Sequence, residues 1–215
     1  MELNKYDANR CFRFLPRPLV REMEAGTVFV GGGYVTNTVN GDKVNDIDVF
    51  VGSADSAVTL VEKLKGEHRV VKTDNAITIL SPMPIQVIHR WVFNDIENVA
   101  ASFDFTICCA AIGFKDGKRV SYCCDSFYQD LAARRLSYRH PVRNEDAGGS
   151  MLRLLKYVRR GYHPPLDSVA GVIARLTKGV ITSGLEAEVT ATITRLLVEV
   201  DPSADIVHAH DQAES

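Results

Sequence analysis

The feature that most limits how this chain folds is a glycine triplet between a strand-like segment and a helix-like segment. Residues 27–30 are β-type, and the glycines at 31–33 follow them directly. Residues 34–40 suit two turns of helix, which Gly41 ends. Residues 45–51 then alternate polar and apolar side chains, as a half-buried strand does. The sequence therefore predicts a strand, a tight glycine turn, a short helix and a second strand.

Two aspartates on the second predicted strand, Asp46 and Asp48, project from the same face because they are two positions apart. Adjacent carboxylates repel unless they are protonated or share a cation, and Mg²⁺ prefers such oxygen ligands. At Gly32 and Gly33 a phosphate can approach the backbone and the N–H groups of the helix start. The combination predicts a site for a metal-bound nucleoside triphosphate. The alternative is an ordinary turn beside a solvated strand face.

A third carboxylate, Asp104, lies in the otherwise apolar segment 103–114, which the pattern predicts as one long strand. Because an isolated buried carboxylate is costly, Asp104 requires a partner. A metal shared with Asp46 and Asp48 would satisfy it. A basic residue, or the solvated face of the strand, would satisfy it as well.

The remaining segments predict an α+β chain, with strands in the first 125 residues or so and helices after them. Further strands are predicted at 69–72, 76–80, 85–91 and 119–123. Helices are predicted at 54–66, 94–101, 129–136, 150–161, 166–177 and 185–200, with one short helix within 1–25. The polar end of the chain, 201–215, is predicted to be frayed.

Composition narrows the function classes. Hydrophobic residues make up 46% and charged residues 24% of the 215 residues, which excludes collagen, wholesale disorder and a disulfide scaffold. No apolar run approaches about 18 residues and no signal-peptide core is present, so we expect a cytoplasmic protein, in the host cytoplasm if it is viral, without a membrane partner. The five cysteines are interpreted as small buried residues rather than metal ligands.

Positive charge is concentrated in residues 134–160, which contain eight basic and two acidic side chains although the net charge of the chain is −2. Arg153, Lys156 and Arg159 recur at helical spacing, on roughly one face. They could contact a triphosphate or an RNA acceptor. A solvated helix face explains the same pattern equally well.

These motifs resemble the DNA polymerase β-type nucleotidyltransferase superfamily, and within it the head domain of CCA-adding tRNA nucleotidyltransferases and poly(A) polymerases. The group's Gly-Gly-x-Val-Arg-Asp, Leu-Leu-x-Gly and Asp-x-Asp motif stands here as Gly-Gly-Tyr-Val-Thr-Asn-Thr-Val-Asn-Gly at 32–41, followed by Asp-Ile-Asp at 46–48. Its Arg-Arg-Asp-Phe-Thr-Ile-Asn-Ala corresponds to Ser-Phe-Asp-Phe-Thr-Ile-Cys-Cys-Ala at 102–110. The later Asp-Leu and arginine-rich motifs are similar to 130–131 and 153–162.

The resemblance implies a polymerase β-like nucleotidyltransferase head with a mixed, mainly antiparallel sheet and helices on one side, followed by a small helical region. It implies a catalytic domain at 1–140, a neck-like helical region at 141–200 and a tail at 201–215. It also implies Mg²⁺-dependent transfer of a nucleotide to an acceptor hydroxyl. The short chain fits a minimal form of the kind found in phage genomes and toxin systems.

In this reading Asp46, Asp48 and Asp104 hold two Mg²⁺ ions, with Asp104 on the ion nearest the acceptor. The RNA 3′ end, of a tRNA-like molecule, is the favoured acceptor. A protein or small-molecule hydroxyl is the first alternative, and a binding module without activity is the second.

The triphosphate would be held by the backbone at Gly32 and Gly33 and by side-chain donors of Thr36 and Asn37. Here the sequence departs from the group, because Thr-Asn replaces its Arg-Asp at 36–37 and Ser-Phe replaces its Arg-Arg at 102–103.

Overall fold

A computed structural model describes residues 1–139 and 147–178, together with 191, 193 and 194. The chain divides into two compact units, Met1–Arg143 and Asn144–Ser215. The predicted tail at 201–215 and almost all of the predicted helix at 185–200 lie outside the described residues. The predicted domain roles stay predictions.

The first unit is built on one seven-stranded sheet with the order β3-β4-β5-β2-β1-β6-β7. Within this sheet β2 and β5 run parallel, and every other neighbouring pair is antiparallel. The expected mixed, mainly antiparallel sheet is therefore confirmed. The strands are β1 (Val28–Gly31), β2 (Ile47–Val51), β3 (Val70–Lys72), β4 (Ala76–Ile79), β5 (Ile85–Ile88), β6 (Ala110–Lys115) and β7 (Lys118–Cys123).

Six α-helices of the first unit are described. They are α1 (Lys5–Phe14), α2 (Arg17–Met23), α3 (Gly33–Asn40), α4 (Ala54–Leu64), α5 (Ile96–Ala101) and α6 (Phe127–Ala132). The prediction of one helix within 1–25 was wrong, because Pro16 separates α1 from α2 and caps the second helix. Side-chain caps from Ser53 and Asp95 begin α4 and α5, each accepting a bond from a backbone N–H three residues on.

The core lies around β1 and β6, which are neighbours in the sheet. Successive residues of β1 are all buried, as are the first five residues of β6. Because successive side chains of a strand point to opposite faces, both faces of the sheet are covered here. Helix α1 packs on α3 and β6, while α5 packs across β1, β6 and β7.

The predicted long strand at 103–114 was wrong in its first half. Asp104 lies in a bend, Thr106–Cys108 form a 3₁₀ turn, and β6 begins only at Ala110. The hydroxyl of Thr106 donates to Asp130 Oδ2 at 2.6 Å, and this buried bond holds the turn against α6. Partners distant in sequence therefore override an apolar pattern that suits a strand.

The second unit contains α7 (Ala147–Arg159) and α8 (Leu166–Lys178), which pack together. Gly161 has φ +82° and follows the end of α7, and the rings of Tyr157 and Tyr162 meet edge to face across this end. Among the residues described in both units, no helix is long and apolar enough to cross a membrane.

Candidate functional site

The glycine turn, defined as Gly31–Gly33, joins β1 to α3. Gly32 precedes α3 with φ +65° and ψ −134°, a conformation that favours glycine. A Cβ at Gly32 would lie 2.6 Å from a ring carbon of Phe103, and one at Gly31 would lie 3.2 Å from the same ring. A Cβ at Gly33 would meet nothing within 4 Å. The Phe103 ring therefore excludes a side chain at Gly32, the ring and the Ala110 carbonyl crowd Gly31, and Gly33 faces open space.

The aspartate pair lies beside this turn. Asp46 immediately precedes β2, and Asp48 within β2 is the register partner of Gly31. Both aspartates are half-buried while Ile47 and Val49 are fully buried. Asp46 and Asp48 therefore present their carboxylates on the less buried face of β2, the strand that pairs with the start of the glycine turn.

A third polar side chain at this place was missed by the sequence reasoning. Gln86 on β5 is the register partner of Asp48, and its Nε2 donates to Asp46 Oδ2 at 3.3 Å. The available signal was one polar residue between the apolar residues Ile85 and Val87 in a short strand. This pattern does not indicate which residue Gln86 contacts, because Gln86 and Asp46 are 40 positions apart in the sequence.

Asp104 is fully buried, and its backbone carbonyl accepts a bond from the Arg139 N–H at 2.6 Å. Within the part of the chain that the structure describes, no three His, Cys, Asp or Glu side chains are grouped to hold a metal ion. The three predicted ligands therefore do not form a triad in this conformation, and Asp46 and Asp48 remain as a pair. The role of Asp104 as a metal ligand stays a prediction.

Two half-exposed carboxylates on one strand face match the hard oxygen ligands of Mg²⁺, with phosphate oxygens of a nucleotide able to complete the coordination. A pair of carboxylates with a substrate phosphate is a usual way of holding this ion. The residues Asp46 and Asp48 therefore fit a nucleotide-bound Mg²⁺.

The side chains of Thr36 and Asn37 form hydrogen bonds to backbone carbonyls of the protein. Thr36 is 1% exposed, and its hydroxyl contacts the carbonyl oxygens of Gly32 and Ile107 at 3.1 and 2.5 Å. The Asn37 Nδ2 donates to the carbonyl of Lys43 at 3.3 Å, which braces the loop leading to Asp46. Direct donation from either side chain to a phosphate stays a prediction, and the bonds present here shape the backbone around the site.

The segment Phe103–Cys109, named here the Asp104 turn, is buried at every residue. Its Phe103 ring packs on the glycine turn and meets the ring of Phe50 from β2 edge to face, with centroids 5.7 Å apart. The preceding Ser102 donates its hydroxyl to the Val99 carbonyl at 2.7 Å. The positions at which the resembling group carries arginines, 36, 102 and 103, thus hold buried neutral side chains.

All five cysteines are buried, as interpreted from the sequence, and none of them forms a disulfide. Cys109 and Cys124 continue the register of the β6–β7 pair, and the Cys124 N–H donates to the Cys109 carbonyl at 2.9 Å. The Cys109 thiol also contacts the carbonyl of Phe105 at 3.2 Å. A hydrogen bond from Cys109 lowers the pKa of Cys124 to about 6, and the same bond together with burial raises the pKa of Cys109. These thiols serve to brace the Asp104 turn.

The predicted basic contacts all lie on α7 in the second unit. Arg153 is half-buried, with its guanidinium against Gly149, whereas Lys156 and Arg159 are exposed. Their predicted contact with a triphosphate or an RNA stays a prediction.

Residues 5–134 match the family described as Gabija anti-defense 2 family protein. A curated relative, Gabija anti-defense 2 of Bacillus phage SPbetaL7, is 24% identical over 161 residues, which are 74% of this chain and 39% of the relative. The chain therefore spans about two fifths of the length of that relative.

Among solved structures, the Thermotoga maritima CCA-adding enzyme complexed with tRNA superposes with a TM-score of 0.57 and 16% identity, covering 93% of this chain and 50% of the enzyme. A CCA-adding enzyme with CTP gives a TM-score of 0.58 at 17% identity over 93% and 51% of the two chains. A complex with ATP gives 0.56 at 16% over 89% and 49%. At these identities the similarity shows the fold, which is the nucleotidyltransferase head fold.

Proposed function

The chain belongs to the Gabija anti-defense 2 family, and we propose that it is a nucleotidyltransferase that moves a nucleoside monophosphate from an NTP to an acceptor hydroxyl. The observation that carries the proposal is the register of Gly31 with Asp48, which sets two half-exposed carboxylates on the strand beside the glycine turn, whose third residue, Gly33, has open space around it. That arrangement offers oxygen ligands for a cation and backbone for a phosphate in one place.

In this proposal each residue binds or orients the substrate. Asp46 and Asp48 hold Mg²⁺ with the nucleotide phosphates, and the first N–H groups of α3, which lack partners within the helix, receive a phosphate beside Gly33. Bound Mg²⁺ supplies charge neutralisation and lowers the pKa of the acceptor hydroxyl. The acceptor oxygen attacks the α-phosphorus, the hydroxyl proton leaves to solvent, and the bond to the leaving pyrophosphate breaks.

Positions 36, 102 and 103 carry no arginine, so a bound cation would neutralise a larger part of the triphosphate charge. With these positions neutral and buried, a cation held by Asp46 and Asp48 would supply much of the positive charge that offsets the triphosphate. Loss of metal should therefore weaken nucleotide binding in this chain as well as turnover.

We propose an RNA 3′ end as the acceptor. One structure with the same fold holds tRNA, and α7 of this chain exposes Lys156 and Arg159 in a segment rich in basic residues. We further propose that the reaction serves a Gabija anti-defense role, as the name of the phage relative states for that protein, in the cytoplasm of the infected host. Transfer to a protein hydroxyl is the competing outcome of the test.

The test incubates the protein with Mg²⁺ and each α-³²P-labelled NTP, once with total cellular RNA and once with a protein lysate. The loss variant is Asp46→Asn with Asp48→Asn. The matched control is Asp74→Asn with Asp116→Asn, which also removes two carboxylates but from exposed turns. Asn is acceptable at position 116, where φ is +51°.

Label in RNA from the wild type and the control, with at least a hundredfold less from the loss variant, supports the proposal. Label in protein instead would move the acceptor to the competing class. No label in either fraction, or equal label from the loss variant, contradicts the proposed activity or the assigned site.

A further inference from the structure

Gln86 is the side chain that the sequence reasoning missed and that the proposed mechanism leaves without a role. It lies on β5, the strand parallel to β2, with Asp48 as its register partner. Its neighbours Ile85 and Val87 are buried while Gln86 is half-exposed. In paired strands, register partners project on the same face, so Gln86 shares the less buried face of β2 with Asp48.

The amide of Gln86 reaches the other aspartate. Its Nε2 donates to Asp46 Oδ2 at 3.3 Å, and the Ile47 N–H donates to the Pro84 carbonyl at 2.9 Å, which fixes the start of β2 against β5. An ionised carboxylate only accepts hydrogen bonds, so the amide nitrogen must face Asp46. The contact with Asp46 is therefore made by the amide nitrogen and not by the amide oxygen.

We propose that Gln86 is a positioning residue that orients Asp46 so that Asp46 and Asp48 present oxygens to one divalent cation. The proposal rests on the proposed function for the purpose of that cation. A neutral donor suits this position because the Asp46 and Asp48 carboxylates already repel each other. A hydrogen bond from the amide N–H stabilises the negative charge on one oxygen of Asp46 and so offsets part of that repulsion. Partners that orient metal ligands typically change metal affinity by about 10–100-fold when removed.

The test measures Mn²⁺ binding to the full chain by the electron paramagnetic resonance signal of free Mn²⁺. This readout does not depend on nucleotide turnover. Gln86→Leu removes the amide and nearly keeps the side-chain volume. Gln129→Leu, at an exposed position on α6, is the matched control. We expect Gln86→Leu to weaken Mn²⁺ binding by about tenfold or more and the control to leave it unchanged. Thermal unfolding of each variant checks that the fold is intact.

A double-mutant comparison asks whether Gln86 acts through Asp46. In an Asp46→Asn background, Gln86→Leu should weaken Mn²⁺ binding by less than about twofold, because the group that it orients has been removed. A full tenfold loss in that background would overturn the proposed route through Asp46. Wild-type Mn²⁺ affinity in folded Gln86→Leu would overturn the proposal outright, as would a wild-type protein that binds no Mn²⁺.

Different results would contradict the proposed nucleotidyl transfer and the proposed positioning role of Gln86. If the wild type binds Mn²⁺ through Gln86 and Asp46 but labels neither RNA nor protein, nucleotidyl transfer fails and the positioning role stands. If label transfer depends on Asp46 and Asp48 but Gln86→Leu binds Mn²⁺ like the wild type, the positioning role fails and transfer stands.

Discussion

The glycine turn and the Asp104 turn meet at one ring but are built in opposite ways. The glycine turn has minimal side chains and faces open space at Gly33, whereas the Asp104 turn is buried at every residue. Phe103 joins them through apolar contact, and Thr36 joins them through its contacts with the carbonyls of Gly32 and Ile107. The open turn is therefore suited to a ligand, while the closed turn sets the shape of the open one.

The largest effect should come from Phe103→Ala, which removes the apolar link. A cavity beside the glycine turn should lower the free energy of unfolding by about 3–5 kcal/mol, measured by urea denaturation. Phe103→Leu, as the control, should lower it by less than half as much. A loss below about 1 kcal/mol for Phe103→Ala would show that the ring does not hold the two turns together.

Gly32→Ala should follow, with a loss of about 3 kcal/mol in the free energy of unfolding. The new Cβ must adopt a conformation reserved for glycine and would collide with the Phe103 ring. Combining it with Phe103→Leu separates the two causes, since relief of the collision should recover part of the loss and leave the backbone strain. Full recovery in the double variant would mean that the φ of +65° costs nothing here.

The polar link should be weaker than the apolar one. Thr36→Val removes the hydroxyl and leaves two buried carbonyls with one fewer contact, so we expect a loss of about 1–2 kcal/mol in the free energy of unfolding. Thr36→Ser keeps the hydroxyl and serves as the control. If Thr36→Val were as stable as the wild type, the Thr36 hydroxyl would not contribute to holding the two turns together.

The smallest change in stability, within about 1 kcal/mol and in the stabilising direction, is expected for Gly33→Ala, because its Cβ meets nothing and alanine favours a helix. The same substitution should weaken NTP binding, measured by equilibrium dialysis with Mg²⁺, since the methyl group occupies the space that the proposal gives to a phosphate. Unchanged NTP affinity would contradict the placement of the phosphate at Gly33.

The local part of the site could be predicted from the sequence and the long-range part could not. The order of strand, glycine turn, helix and strand from Val28 to Val51 follows from neighbouring residues, and the structure has it. The Asp104 turn depends on Asp130, and the orientation of Asp46 depends on Gln86; neither partner is marked by a repeating pattern. The reason for glycine at position 32 is likewise a ring 71 positions later in the chain, at Phe103.

The position of β1 between β2 and β6 determines when the site can take shape during synthesis. Gly31 pairs first with Asp48, but its other partner, Ala111, leaves the ribosome about 3–13 s later at ordinary rates of translation. The nascent chain therefore carries all three glycines and both aspartates of the site before it carries the ring and the strand that fix them. In the proposed function, the glycine turn and the aspartate pair are synthesised first, but the turn gains its second strand partner only when β6 joins the sheet.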